Sequence, residues 1–459
     1  MTKSDIVLFI FRRDLRLEDH KPLQDALDYA KENNAVVVPM FIFSKSQVGS
    51  SAPVKSYRSI ACLIQSLKEL DATLYKKYKT RLSIFEASDN VKVLQDISKS
   101  FEIYAIFETK DYTPFAHERS KSIQEYSEAH EIEYQLIEYL YLVNPDEMKI
   151  KLGKIYQKFT PFYNAVLKSK SIKIPEPTGF VKGKFIGGNL GNTNLKSMEK
   201  DIFRSSASGT FGSKTAISKK ESQSRASGLN PILGGRKEGL KFLKNLKSIK
   251  NYDTIRNQMP LSTSNLSVHH HYGTVSIRES YASAQKLINS GAKEMKEFQR
   301  QLFWRDFYGA LCGNFDKFYK SKTSKYGDLL ELVKERPKLS QKKQELYDAW
   351  CNGTTGIDIV DAGMNQLNST GFMHNRQRLL TSSLLVKTWG VNWQYGAGYF
   401  AEKLVDYDFT QNTMNWLFIA GGYPFSEAPF RKVNPERQAK ILDSEGIYRK
   451  RWLKFYNMD

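Results

Sequence analysis

Apolar positions change their rhythm along this 459-residue chain. In the first third they come as short unbroken runs, Ile6–Phe11 and Ala35–Phe43, with further runs at Leu82–Phe85, Tyr104–Phe107 and Tyr134–Leu142. Such runs predict strands buried on both faces, as in a parallel sheet covered by helices. Between them Lys21–Asn33, Tyr57–Leu74 and Ala116–His130 read as helices. The alternation predicts a doubly wound α/β domain over residues 1–140.

Residues 141–237 lose that rhythm. Gly, Ser, Lys, Asn and Thr dominate from Ile172 to Gly235, which predicts an interdomain connection, partly flexible. From 238 to 459 the spacing is helical. Glu238–Lys247, Ser276–Ser290, Glu294–Cys312, Gln341–Cys351, Ile357–Asn368, Gln377–Thr388, Tyr395–Leu404, Asn412–Ala420 and Pro435–Ser444 all read as helices of a large all-α second domain.

Composition narrows the class. No apolar run approaches the ~18 residues of a membrane span. The start, Met1 to Asp5, leads into a predicted strand without the apolar stretch of a secretory signal. Cys62, Cys312 and Cys351 are too scattered for a disulfide framework or a metal site. These features predict an intracellular protein, cytoplasmic or nuclear, neither secreted nor membrane-bound. His269, His270 and His271 have no acidic or cysteine partners near them in sequence, so they read as a polar loop or helix start. The net charge of +20, from 69 basic and 49 acidic residues, points to a polyanion, most simply nucleic acid. Ten of the basic residues fall between Ser205 and Lys250.

Chemistry concentrates in two places. Arg12, Arg13, Asp14 and Arg16 close the first predicted strand, where no GxGxxG follows. Taken alone they read as a surface ion-pair network rather than a ligand crevice. The second place runs from Trp350 to Trp452, where charges, amides and tryptophans interleave with core-like residues. Buried polar groups need partners, so this stretch suits the wall of a polar aromatic ligand. Asn412 and Trp416 share a helix face. Asp406 and Asp408 precede that helix, with Asp408 or Thr410 as its cap, and Arg376 and Arg378 are natural partners for the aspartates. Structural ion pairing and cofactor binding both account for this set. The hydroxyl-rich 260–267 stretch fits either an ordinary cap or a phosphate cradle. Trp304 and Tyr308 form a stripe that alone reads as core.

The motifs, taken in order, resemble the photolyase/cryptochrome flavoproteins. They are FRRDLRLED at 11–19, DYTPFAHER at 111–119, LSTSNLS at 261–267, FWRDFY at 303–308, IVDAGMNQLNSTGFMHNRQR at 359–378, DYDFTQNTMNW at 406–416 and FRKVNP at 430–435. The resemblance covers nearly the whole chain and is weakest in the connection.

It implies a helical domain holding FAD. Tyr252, Thr263, Ser264, Asn265, Leu266 and Ser267 would lie near the phosphates, with Arg305 and Tyr308 close by. Arg378 would pair with Asp406 beside the ring system, with Asp408 and Asn375 at its edge and Asn412 at its N5. It implies light-driven repair of ultraviolet-damaged DNA by a carbon–carbon lyase, acting as a monomer, with an antenna chromophore (folate or deazaflavin) on the α/β domain. The lesion pocket would use Gln301, Trp304, Asn375, Arg376, Leu379 and Phe418. Asn375 stands where enzymes for (6-4) photoproducts carry a second histidine, so the resemblance favours cyclobutane pyrimidine dimers. A blue-light receptor of cryptochrome type and a (6-4) photolyase are the alternatives. Several positions depart from the family pattern: Gln301 replaces a glutamate, Phe418 a tryptophan and Leu379 a methionine. Trp416 and Trp393 match the first two members of an electron relay. Ser340 stands at the third, so Trp389 or a tyrosine is expected to substitute.

Overall fold

The computed structural model describes residues 4–45, 56–147, 155–169, 174–204, 233–259, 263–315, 336–421 and 433–454. The chain divides into two compact units. One comprises Met1–Asn144, Ile174–Leu243 and Leu266–Ala282; the other comprises Pro145–Lys173, Lys244–Asn265 and Ser283–Asp459. This division is discontinuous, unlike the contiguous one expected with boundaries at 140 and 237.

The first unit is built on a five-stranded parallel sheet: β1 (Ser4–Ile10), β2 (Val36–Ser44), β3 (Ser83–Ala87), β4 (Phe101–Thr109) and β5 (Glu133–Ile137), in the order β3-β2-β1-β4-β5. The helices Lys21–Glu32, Tyr57–Tyr78 and Pro114–Ala129 connect neighbouring strands, whereas Asn90–Ser98 carries the chain from β3 at one edge across to β4 on the other side of β1. Helices on the faces explain the unbroken apolar runs: Ile6, Leu8, Val38, Met40 and Ile106 are fully or almost fully buried. The doubly wound α/β reading therefore holds. The strand expected over Tyr134–Leu142 stops at Ile137. Beyond it the Glu138 carboxylate accepts from the Leu140 and Tyr141 amides, turning the chain, while the Tyr139 and Tyr141 carbonyls accept from Arg278.

Two further expectations change. Of the charged residues after β1, Arg12, Asp14 and Arg16 are buried within the first unit, not displayed on its surface. Arg12 pairs with Glu108 of β4 at 2.7 Å, and Asp14 accepts from the Arg12 amide at 2.7 Å and from Thr109 at 2.5 Å. Burial alone would raise the Glu108 pKa, but the nearby Arg12 and Arg119 charges and hydrogen bonds from Tyr134 and Ser120 hold it at about 2. Asp19 likewise pairs with buried Arg278 at 3.1 Å. The sequence reading missed this because polarity along a chain does not reveal a charged partner a hundred residues away.

Of the expected connection, residues 174–204 belong to the first unit, whereas residues 155–169 belong to the second. Phe180, Phe185 and Gly188 form bridges to Glu18, Val37 and Thr80. The Ile186 amide donates to the Val37 carbonyl at 2.9 Å, and Leu195–Arg204 is a helix. Backbone pairing needs no apolar run, so composition alone read this strap as a linker. Residues 205–232 lie outside the described residues.

The second unit is helical among its described residues. Its principal helices are Phe159–Lys168, Met295–Gly313, Gln341–Asn352, Asp358–Thr370, Asn375–Ser383, Trp393–Lys403, Phe409–Ala420, Pro435–Leu442 and Ile447–Lys454. The helix expected over Gln377–Thr388 starts at Asn375 and becomes a π turn over Leu384–Thr388.

Candidate functional site

A cleft of about 490 Å³, open solvent included, lies in the second unit between the 375–383 and 409–420 helices. The chain builds it from local rules. Gly371, at φ +75°, ends the 358–370 helix in the left-handed conformation glycine tolerates. Its carbonyl then accepts from the Val405 amide at 2.8 Å, drawing 405–408 alongside 371–375. Asp408 caps the 409–420 helix, accepting from the Gln411 amide at 3.0 Å. His374 caps the 375–383 helix through Nδ1, which accepts from the Arg376 amide at 3.1 Å. Burial, then the Arg378 and Arg376 charges, push the His374 pKa down to about 4, so the ring is neutral and suited to accept.

Arg378 projects from the first turn of its helix and donates through Nη2 to both Asp406 carboxylate oxygens, at 2.8 and 3.0 Å. Its Nε donates to the Met373 carbonyl at 2.9 Å, fixing the guanidinium plane. Asn412 donates Nδ2 to the Ala397 carbonyl at 3.0 Å, which leaves its Oδ1 as an acceptor on the cleft wall. Trp416 forms another wall. Its ring meets Phe400 at 5.1 Å and Trp350 at 6.2 Å between centroids, both edge-on. Gly396 is required beneath it, since a Cβ there would lie 2.1 Å from the indole.

The structure thus brings Asn375, Arg378, Asp406, Asp408, Asn412 and Trp416 to one cleft, and Leu379 lines it too. Arg305 and Tyr308 support it from behind: the Arg305 carbonyl accepts from Gln411 at 3.1 Å, and the Tyr308 hydroxyl donates to Asn415 at 3.4 Å. Other expected residues lie outside the lining. Arg376 donates to the Asn257 side-chain carbonyl at 3.0 Å rather than to an aspartate. Gln301 donates to Glu297 at 2.6 Å, and Trp304 stacks on Phe159 at 3.9 Å with planes 7° apart. Tyr252 is buried edge-on against Phe298. Phe418 is half-buried, Trp393 opens the 393–403 helix, and Trp389 ends the π turn. Thr263, Ser264 and Asn265 belong to the second unit, whereas Leu266 and Ser267 belong to the first. Among the described residues no cluster suits a metal ion, the three histidines included.

Gln411, Asn415 and Ile419 were missed as lining residues. They continue the Asn412–Trp416 stripe at helical spacing, a signal present in the sequence. Trp350 could not be placed beside Trp416 from sequence, because the 65 residues between them separate the two rings in the chain but not in the fold.

A cation, two carboxylates and four amides around an aromatic wall suit a heteroaromatic ring edged with N–H and C=O groups, as the donor set of a flavin site requires. The fold and this cleft define a flavoprotein with an α/β unit and a helical cofactor unit. Residues 7–178 match the family model described as DNA photolyase, and residues 298–457 match that described as the FAD binding domain of DNA photolyase. The deoxyribodipyrimidine photo-lyase of Alkalihalophilus pseudofirmus is 28% identical over 444 residues, covering 95% of this chain and 85% of that protein. Cryptochrome-1 of Arabidopsis thaliana is 27% identical over 461 residues, covering 96% of this chain and 62% of that protein. An archaeal photolyase from Sulfolobus tokodaii, solved with two FAD molecules, superposes with a TM-score of 0.74 at 30% identity, covering 98% of this chain and 90% of that one. The chain belongs to the photolyase/cryptochrome family, and FAD is the cofactor of its helical unit.

Proposed function

We propose that this protein is a light-driven DNA repair lyase that splits cyclobutane pyrimidine dimers. The observation that carries the reading is the cleft itself, where the Arg378–Asp406 pair, Asp408, Asn412 and Trp416 converge. When bound, reduced FAD would supply on excitation the electron that opens the cyclobutane ring. The protein binds, orients and excludes water. Arg378 and Asp406 present a fixed donor–acceptor edge, because the guanidinium is held at Nε as well as Nη2. Asn412 offers Oδ1, and Trp416 closes the cleft while serving as the nearest electron donor in the wall, with Trp393 and Trp389 as further relay members. Arg376, Trp304, Gln301, Asn375, Leu379 and Phe418 are proposed to receive the flipped lesion, extrusion of a damaged pair costing less than that of an intact one. The net charge of +20 supports phosphate contacts. The reading extends to a monomer acting inside the cell, with an antenna chromophore, folate or deazaflavin, on the α/β unit.

One observation favours a second reading, a cryptochrome-type receptor. Gln301 is already engaged by Glu297, and one face of Trp304 is covered by Phe159, so two expected lesion contacts are partly committed. The test is to illuminate the reduced holoprotein with DNA carrying either a cyclobutane dimer or a (6-4) photoproduct. Light-dependent loss of the cyclobutane dimer alone is expected. Loss of neither lesion overturns the repair reading in favour of the receptor, and loss of only the (6-4) product overturns the lesion assignment.

A further inference from the structure

Trp416, on the cleft wall, does not end its aromatic contacts there. Its ring meets Trp350 at 6.2 Å, edge-on. Trp350 stacks on Tyr347 at 6.3 Å with planes 19° apart, and Tyr347 meets Tyr395 edge-on at 5.3 Å. All three spacings lie within the roughly 4.5–7 Å of interacting aromatic pairs. Exposure rises along the series: Trp350 is fully buried, Tyr347 and Tyr395 half-buried, and the Tyr395 hydroxyl donates to the Pro337 carbonyl at 3.1 Å in an exposed setting. The rings therefore run in unbroken contact from the cleft to the solvent.

We propose that Trp416, Trp350, Tyr347 and Tyr395 form an electron-supply branch for the flavin, beside the one through Trp393. With oxidised flavin bound and excited by light, Trp416 would supply it one electron. The vacancy passes to Trp350, then to Tyr347, then to Tyr395. Trp350 holds its indole proton against the Thr381 carbonyl at 3.0 Å and is too deep to release it to water. Tyr347 is enclosed too: burial, then the neighbouring Cys351, raise its hydroxyl pKa above the usual value. Tyr395 is where the proton can leave. Its oxidised phenol loses H⁺ to solvent, and the Arg336 guanidinium 5.9 Å from its ring centroid disfavours keeping the positive charge. A soluble thiol then returns one electron and one proton to Tyr395, two such thiols ending as a disulfide.

The test uses the flavin-loaded full chain with an added thiol under blue light. Flavin reduction is followed by absorbance, and the protein radical by electron paramagnetic resonance at low temperature. Flavin content and melting temperature are matched first, in darkness. Trp393→Phe should retain measurable flavin photoreduction accompanied by a tyrosyl signal. Adding Tyr347→Phe, which keeps the ring and removes only the hydroxyl, should slow that residual reduction by about tenfold and abolish the signal. The branch is ruled out if Trp393→Phe alone stops photoreduction, or if the added Tyr347→Phe leaves both rate and radical spectrum unchanged. None of these readouts involves DNA, so failure of the repair reading would leave the result intact.

Discussion

Replacing Arg378 with methionine tests the cleft at its centre. The Asp406 side chain is 3% exposed and accepts two hydrogen bonds from Arg378, itself 24% exposed at the side chain. Removing the cation strands a buried carboxylate. Breaking a fully buried pair costs about 3–5 kcal/mol. Partial exposure of Arg378 and the open cleft reduce this to about 2–3 kcal/mol for the apoprotein, since solvent screens part of the charge. Asp406→Leu in the same background removes the stranded charge, and apolar replacement of both partners is often neutral. The double variant should therefore regain most of the lost melting temperature. It should not regain flavin, because the donor–acceptor edge is gone. If that edge contributes a similar 2–3 kcal/mol to the cofactor, FAD affinity falls by about 30- to 150-fold in both variants. The assays are thermal melting of the apoprotein and flavin titration by fluorescence. Equal melting temperatures for wild type and Arg378→Met would refute the stranded-charge argument. Recovery of flavin binding in the double variant would refute the role of the pair in holding the cofactor.

Two further predictions concern packing and protons. Gly396→Ala places a Cβ 2.1 Å from the Trp416 indole, and overpacking of that kind should cost about 1–3 kcal/mol, seen as a lower melting temperature and altered tryptophan emission. His374 and His269 are buried with pKa values depressed from 6.5 to about 4, in both cases first by desolvation. The unfolded chain takes up these protons below about pH 6.5 and the folded chain only near pH 4, so stability should fall as pH drops through that window, by up to about 3 kcal/mol per histidine. Replacing His374 with asparagine should flatten the dependence of melting temperature on pH between 6.5 and 4; an unchanged slope would show that the ring is not held neutral.

Much of the fold was legible because burial on both sheet faces writes itself into sequence as unbroken apolar runs. Four of the five strands came close to their observed bounds, and β5 was overextended only where Glu138 turns the chain. The Arg378–Asp406 pair was legible through the family resemblance, while the residues alone offered Arg376 or Arg378 to the aspartates and Asp408 or Thr410 as the cap. Local chemistry narrowed the partners to two arginines and two aspartates, and the structure turns Arg376 to Asn257 and Arg378 to Asp406. The destiny of Arg12 and Asp14 was not legible, since a lone charge reads as surface until Glu108 and Thr109 are placed beside it. The attachment of residues 174–204 was not legible: besides backbone bridges it rests on single apolar side chains, such as Val181, Phe185 and Ile186, too widely set among polar residues to form a run.

By itself, the sequence determined the alternation of strands and helices, the helical character of the second unit, the family, and the residue types a flavin cleft needs. These follow from local periodicity and from motifs, and both survive in one dimension. Only the tertiary structure decided which polar residues are buried, that Trp350 rather than a sequence neighbour meets the Trp416 ring, and that Gln301 and Trp304 already have partners in Glu297 and Phe159. Those facts depend on distances between helices remote in the chain. Such distances are set by packing of whole faces, not by any one segment's pattern.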